Sequence, residues 1–138
     1  MLYACMPDPV CSGFLNLKNG TDDTLLVKHE IMDVIKKKEI LIVPDGALTF
    51  AQARYVGSKD RDFTIEDFIA DADSSEISIY SSDGKRFLAK WTYQGRNKPG
   101  KQFFNIDHYT VHYGLETEKP IWNKWYYFII TQDMLTGE

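Results

Sequence analysis

The chain has 138 residues, 43% hydrophobic and 26% charged, the balance of a single globular domain with room for a sizeable core. Its formal net charge of −4 argues against a nucleic-acid surface, which would want a basic stripe, and no apolar run approaches the ~18 residues of a membrane-spanning helix. Aromatic residues reach 14%, which favours strands over helices.

The chain opens with Leu2-Tyr3-Ala4-Cys5, the shape of the end of a bacterial lipoprotein signal, in which Cys5 becomes the lipidated residue. Tyr3 is bulkier than the small residue usual there, and no charged and apolar signal regions stand before it. Residues 6–10 carry two prolines and form a tether after the anchor. The alternative reading pairs Cys5 with Cys11 in a disulfide or leaves it a free thiol, and Cys5 cannot serve both roles. Two cysteines with no Cys-x-x-Cys or Cys/His spacing give neither a disulfide framework nor a zinc site. Residues 1–12 are accordingly read as signal remnant and lipid-anchor tether, and residues 13–138 as one β-sandwich domain.

A first strand is expected over 13–18, a polar turn over 19–23 and a partner strand over 24–28. Asn19-Gly20-Thr21 satisfies a glycosylation sequon, but Asn-Gly in a turn needs no such explanation. Residues 32–38 fit either a helical turn or a loop; the run 39–43 is a strand apolar on both faces, stopped by the turn Pro44-Asp45-Gly46. A further strand lies around 48–53. The one convincing helix start follows: Thr64 as N-cap, Asp67 at the capping-box position, and Phe63 with Phe68 at the spacing of a hydrophobic staple. This helix should end within two turns, by 71–73.

Residues 74–93 form the clearest hairpin, two β-prone runs about Asp83-Gly84. A three-residue loop, Ser82-Asp83-Gly84, separates apolar from charged side chains best. It directs Ile77, Ile79, Phe87, Ala89 and Trp91 inward, and pairs Glu76 with Lys90 and Tyr80 with Arg86 outside. A loop over 94–100 is followed by strand at 103–106 and 109–113, a polar connection over 114–120, and a strand over 125–131 apolar on both faces and hence central. Met134-Leu135 adds a helical turn. Short strands separated by turns, with one small helix, make the expected fold mainly β, an antiparallel β-sandwich of immunoglobulin-like or transthyretin-like kind.

Little in the sequence carries catalysis. His108 and His112, beside Asp107, lie four apart in a stretch that favours strand, where such residues are ~13 Å from each other. Asp71-x-Asp73-x-Ser75 begins like a calcium loop but has Glu76 for the required glycine and Ser82 for the closing glutamate. No nucleophile elbow or phosphate loop occurs, so no catalytic residue, metal or cofactor is assigned. Aromatics are the remaining candidates for ligand stacking: Trp122, next to a polar loop, with Tyr126 nearby, whereas Trp91 and Trp125 are assigned to the core.

The layout resembles small, uncharacterised β-rich lipoproteins of Bacteroidota. The residues that carry the likeness are Cys5 with its Pro/Asp tether, the run from Asn16 to Leu25, Val43-Pro44-Asp45-Gly46, Phe68-Ile69, Lys90-Trp91 and the apolar strand 125–130. The resemblance implies a periplasmic or outer-membrane location, attachment to the membrane through a lipid on Cys5, and no catalytic residues. The expected function is a non-enzymatic cell-envelope domain with a structural or adhesion role; the alternatives are a carbohydrate- or peptide-binding module using exposed aromatics and, more weakly, a metal-dependent enzyme.

Overall fold

A computed structural model describes residues 8–31, 39–57, 61–116 and 121–135. In chain order the elements are β1 (Val10–Asn19), β2 (Leu25–Glu30), β3 (Glu39–Ile42), β4 (Ala47–Val56), α1 (Ile65–Phe68), β5 (Glu76–Ser81), β6 (Phe87–Thr92), β7 (Thr110–Glu116) and β8 (Ile121–Ile130). They form two four-stranded sheets, one ordered β4-β1-β8-β7 and the other β3-β2-β5-β6. The pairs are antiparallel except β1 with β8, which run parallel over their full lengths. The fold is a β-sandwich with one short helix. Its core lies between the sheets around Leu15, Leu17, Val27, Phe50, Ile77, Ile79, Phe103 and Phe128. β1 begins ahead of residue 13 and carries Cys11, a buried free thiol, into that core. Cys5 and residues 32–38 lie outside the described residues.

The strand after the first turn does not pair with β1, as the sequence led us to expect; β2 joins the other sheet. The cause is the Asn19 corner. The fully buried Asn19 side chain donates to the carbonyls of Asp23 and Ile42 and accepts from the N–H and hydroxyl of Thr21, while Gly20 N–H is spent on Ile130. With these groups engaged, the chain leaves one sheet and enters the next instead of folding back. The sequon asparagine is therefore an internal tie.

The 74–93 hairpin forms with a different register. Ser81 N–H donates to Arg86 C=O, leaving a four-residue loop with Gly84 at φ 77°. A bulge near Ile79 and Tyr80 then pairs Ile79 with Ala89 and Ile77 with Trp91. Ile77, Ile79 and Trp91 point inward as expected, and Leu88 joins them; Phe87 is 39% exposed and meets Tyr80 edge-on outside. Glu76 and Lys90 do pair, at 2.9 Å, across a diagonal. Tyr80 takes Lys28 over its ring at 4.4 Å rather than Arg86.

Residues 103–106 are not a strand. The Asn105 side chain accepts from Asp107 N–H and starts a 3-10 turn, Ile106–His108, an alternative to ladder pairing that asparagine offers readily. Phe103 and Phe104 are thereby turned into the core, where Phe103 packs on Phe50, Phe128 and Tyr109.

Helix α1 has the expected capping box, Thr64 with Asp67, and Phe63 stacks on Phe68 at 5.4 Å. It is a single turn tied to both sheets. Tyr55 of β4 donates to Asp67, Tyr93 beyond β6 donates to Glu66, and arginines cover both phenols, Arg61 over Tyr55 at 3.6 Å and Arg96 over Tyr93 at 3.9 Å. Gly13 of β1 leaves the space into which Phe68 and Phe63 press; a Cβ there would lie 2.9 Å from the Phe68 ring.

The Tyr93 hydroxyl holds Glu66 below its usual value. Burial pushes Asp67 up, but the Tyr55 hydroxyl and the Thr64 N–H and hydroxyl outweigh it and leave the carboxyl lowered. Both contributions are present above the unfolded values near pH ~4 and are lost as pH falls through the folded ones. The two phenols are raised, first by these same hydrogen bonds, so the clamp also weakens as pH rises beyond ~10. Replacing Tyr55 and Tyr93 together by Phe should therefore flatten the acid limb of a stability–pH profile measured by urea unfolding. Phe103→Ala should cost ~3–5 kcal/mol in the same assay, the loss for a buried phenylalanine and not for an exposed strand residue.

Candidate functional site

Strand β8 places its even-numbered side chains inward and its odd-numbered ones on the outer face of the sheet. This reverses two assignments made from the sequence. Tyr126 is 4% exposed, packs against Phe63 and Phe68, and its hydroxyl accepts from Phe63 N–H. Trp122 is half-buried on the same inner face, against the core. Tyr126 thus presents no ligand surface, and the two rings do not make an exposed platform. Trp125 and Tyr127, on the opposite face, are half-exposed instead.

The register of the four strands builds a site around these two rings. One cross-strand row is Gln52, Phe14, Trp125 and His112; the next is Thr49, Asn16, Tyr127 and Thr110; Ala47, Lys18 and Ile129 follow. Trp125 stacks on Phe14 with centroids 5.8 Å apart and planes within 12°. Its six-membered ring lies across Gly114, where a Cβ would come within 2.9 Å. Glycine at that position lets the indole lie flat on the sheet. His112 meets Tyr127 edge-on at 5.4 Å. Beneath the rings Asn16 is fixed, donating to Tyr126 C=O and accepting from the Thr49 hydroxyl at 2.6 Å.

Between these side chains runs a groove of about 390 Å³, floored by Trp125, Tyr127 and Ile129 and rimmed by Lys18, Asp45 and His112. Asp45 is held at the rim by the turn after β3, where it takes a left-handed φ of 63° and its N–H donates to Asn19 C=O. The rim thus offers a cation, a carboxylate and an imidazole beside a flat apolar floor. Flat apolar rings beside polar rim groups are the chemistry of stacking and hydrogen bonding.

The other candidates do not converge. His108 sits in the 3-10 turn with Nδ1 accepting from Gln102 N–H, whereas His112 lies on the outer face of β7. Among the described residues no cluster of three or more His, Cys, Asp or Glu is placed to hold a metal ion. Asp71 and Asp73 flank and enter a 3-10 turn, and the Asp71 carbonyl accepts from the hydroxyls of Ser74 and Ser75. An ion pair absent from the sequence reading joins Lys124, 2% exposed on the inner face of β8, to the exposed carboxylate of Asp62 at 3.1 Å, with the Tyr113 ring 5.3 Å from the ammonium. No signal in the sequence distinguished this lysine from the solvated ones.

No protein family, curated protein or solved structure matches this chain.

If the Phe14–Trp125 stack fixes the platform, a double-mutant cycle with Phe14→Ala and Trp125→Ala should give a coupling of ~0.5–1.5 kcal/mol in chemical unfolding. A coupling of zero would mean that the rings merely sit beside each other.

Proposed function

We propose that this chain is a non-enzymatic recognition domain of the cell envelope that binds carbohydrate on the outer face of its first sheet. The observation that carries the reading is the pair Trp125 and Tyr127. They lie two residues apart on a central strand, half-exposed on one face, with Phe14 and Gly114 setting the indole flat. Two residues of strand span ~7 Å, the scale of one sugar unit, and the apolar faces of pyranose rings stack on such surfaces. Lys18, Asp45 and His112 surround the floor with donors and acceptors suited to hydroxyl groups. Nucleobases stack on aromatics too, but nucleic acid demands a cationic funnel, and this groove sets its one lysine, Lys18, beside the carboxylate of Asp45.

The non-enzymatic part of the reading rests on the sequence, which offers no nucleophile elbow and no phosphate loop. The envelope tether rests on the sequence alone, Leu2-Tyr3-Ala4-Cys5, and an adhesive role follows if a tethered domain binds glycans.

Binding to a glycan array should be lost, by about tenfold or more (~1.4 kcal/mol), in Trp125→Ala and Tyr127→Ala, while Trp122→Ala retains it. Silence of the unaltered protein across the array would remove the carbohydrate reading and favour a purely structural role. Growth on a radiolabelled fatty acid should label the protein, and Cys5→Ser should abolish the label; a label that survives the substitution removes the anchor.

A further inference from the structure

The second sheet ends in β6, which among the described residues has no strand on its far side. Phe87, Leu88, Ala89, Lys90 and Trp91 border, one after another, a slot of about 700 Å³. Side chains of a strand alternate between its faces, so five successive residues share one cavity only when the backbone edge itself faces it. The opposite wall is the segment Pro99 to Gln102, with Asp133 and Met134. One end is fastened by Trp91 Nε1, which donates to Lys101 C=O at 3.1 Å. The result is a strand edge facing a second wall, with space for one extended chain.

The charge around this edge opposes that of the protein. Lys85, Arg86, Lys90, Lys98 and Lys101 are all exposed along β6 and its facing loop, in a chain whose net charge is −4. Glu76 engages Lys90, Asp83 shares the turn with Lys85 and Arg86, and Asp133 stands at the slot, so these five cations outnumber the three carboxylates beside them. Lysines on an edge discourage indiscriminate pairing. They also set the β6 edge of a second copy against like charge, while the Pro99–Gln102 wall obstructs its sheet. An acidic extended segment meets neither obstacle.

We propose that the slot receives an extended, acidic segment of a partner protein as an added strand beside β6. Backbone hydrogen bonds to the free edge supply affinity, and Lys90, Lys98 and Lys101 select the acidic partner. The site is separate from the aromatic groove, which lies on the other sheet, so the two readings stand or fall independently.

The test uses the full chain and a pool of fluorescein-labelled ten-residue peptides in which Glu alternates with Val, Ile, Thr or Tyr, against a matched pool with Lys for Glu. Acidic peptides should bind in anisotropy titrations, weaken steeply with added salt, and slow amide exchange at residues 88–91. Lys98→Glu with Lys101→Glu, both in an exposed loop, should weaken binding at least about tenfold, the equivalent of ~1.4 kcal/mol. Ala89→Pro should abolish it; because that variant risks misfolding, the charge reversal carries the decision. Absence of protection at 88–91 with the whole acidic pool, equal binding of the lysine pool, or unchanged affinity in the charge-reversed variant would overturn the proposal. So would a concentration-dependent dimer in sedimentation whose contact protects 88–91, since it would make a second copy the occupant.

Discussion

The structure depends on the parallel pairing of β1 with β8. It joins residues about 110 positions apart, as in the bond from Asn16 to the Tyr126 carbonyl. Closing a loop of that length costs on the order of 4 kcal/mol in chain entropy before any contact returns it. The return comes from ten registered positions, Val10 with Ile121 through Asn19 with Ile130, which add side-chain pairs to one face or the other everywhere but at Gly13. The inner pairs, Leu15 with Tyr126 and Leu17 with Phe128, are core; the outer pairs, Phe14 with Trp125 and Asn16 with Tyr127, are the platform. A one-residue slip would exchange the two sets. The same constraint therefore makes the core and exposes the site.

Everything else braces that central pair. β4 and β7 flank it, the Asn19 corner ties its far end to the second sheet, and α1 presses two phenylalanines against Gly13. The helix is too short to be stable alone. It holds because each of its acids accepts a tyrosine hydroxyl, one from beside each sheet. The lowered carboxyls of Glu66 and Asp67 thus belong to a structural clamp, and the aromatic face owes its rigidity to strands rather than to loops.

Local signals were legible where they act within a few residues. Thr64 and Asp67 form the capping box the sequence announces, because a cap needs only neighbouring backbone N–H groups. Gly84 takes the left-handed turn conformation for the same local reason. The hairpin register was not legible, since the bulge near Tyr80 is settled by burying Leu88 rather than Phe87 against the other sheet. Phe103 and Phe104 read as strand by propensity, yet the Asn105 cap and the demand of the core for large rings placed them in a turn.

The sequence by itself determined the class: strands with one small capped helix, and a central aromatic strand near the end of the chain. Only the tertiary structure decided which half of Trp122 to Ile130 faces water. A strand apolar on both faces carries no internal mark of its inner side; its pairing with β1 and the covering of one face by Phe63, Phe68 and the second sheet supply it. That choice moved the candidate site from Trp122 and Tyr126 to Trp125 and Tyr127. The edge of β6, open among the described residues, was likewise beyond the sequence, because an edge is defined by the strand that is not beside it.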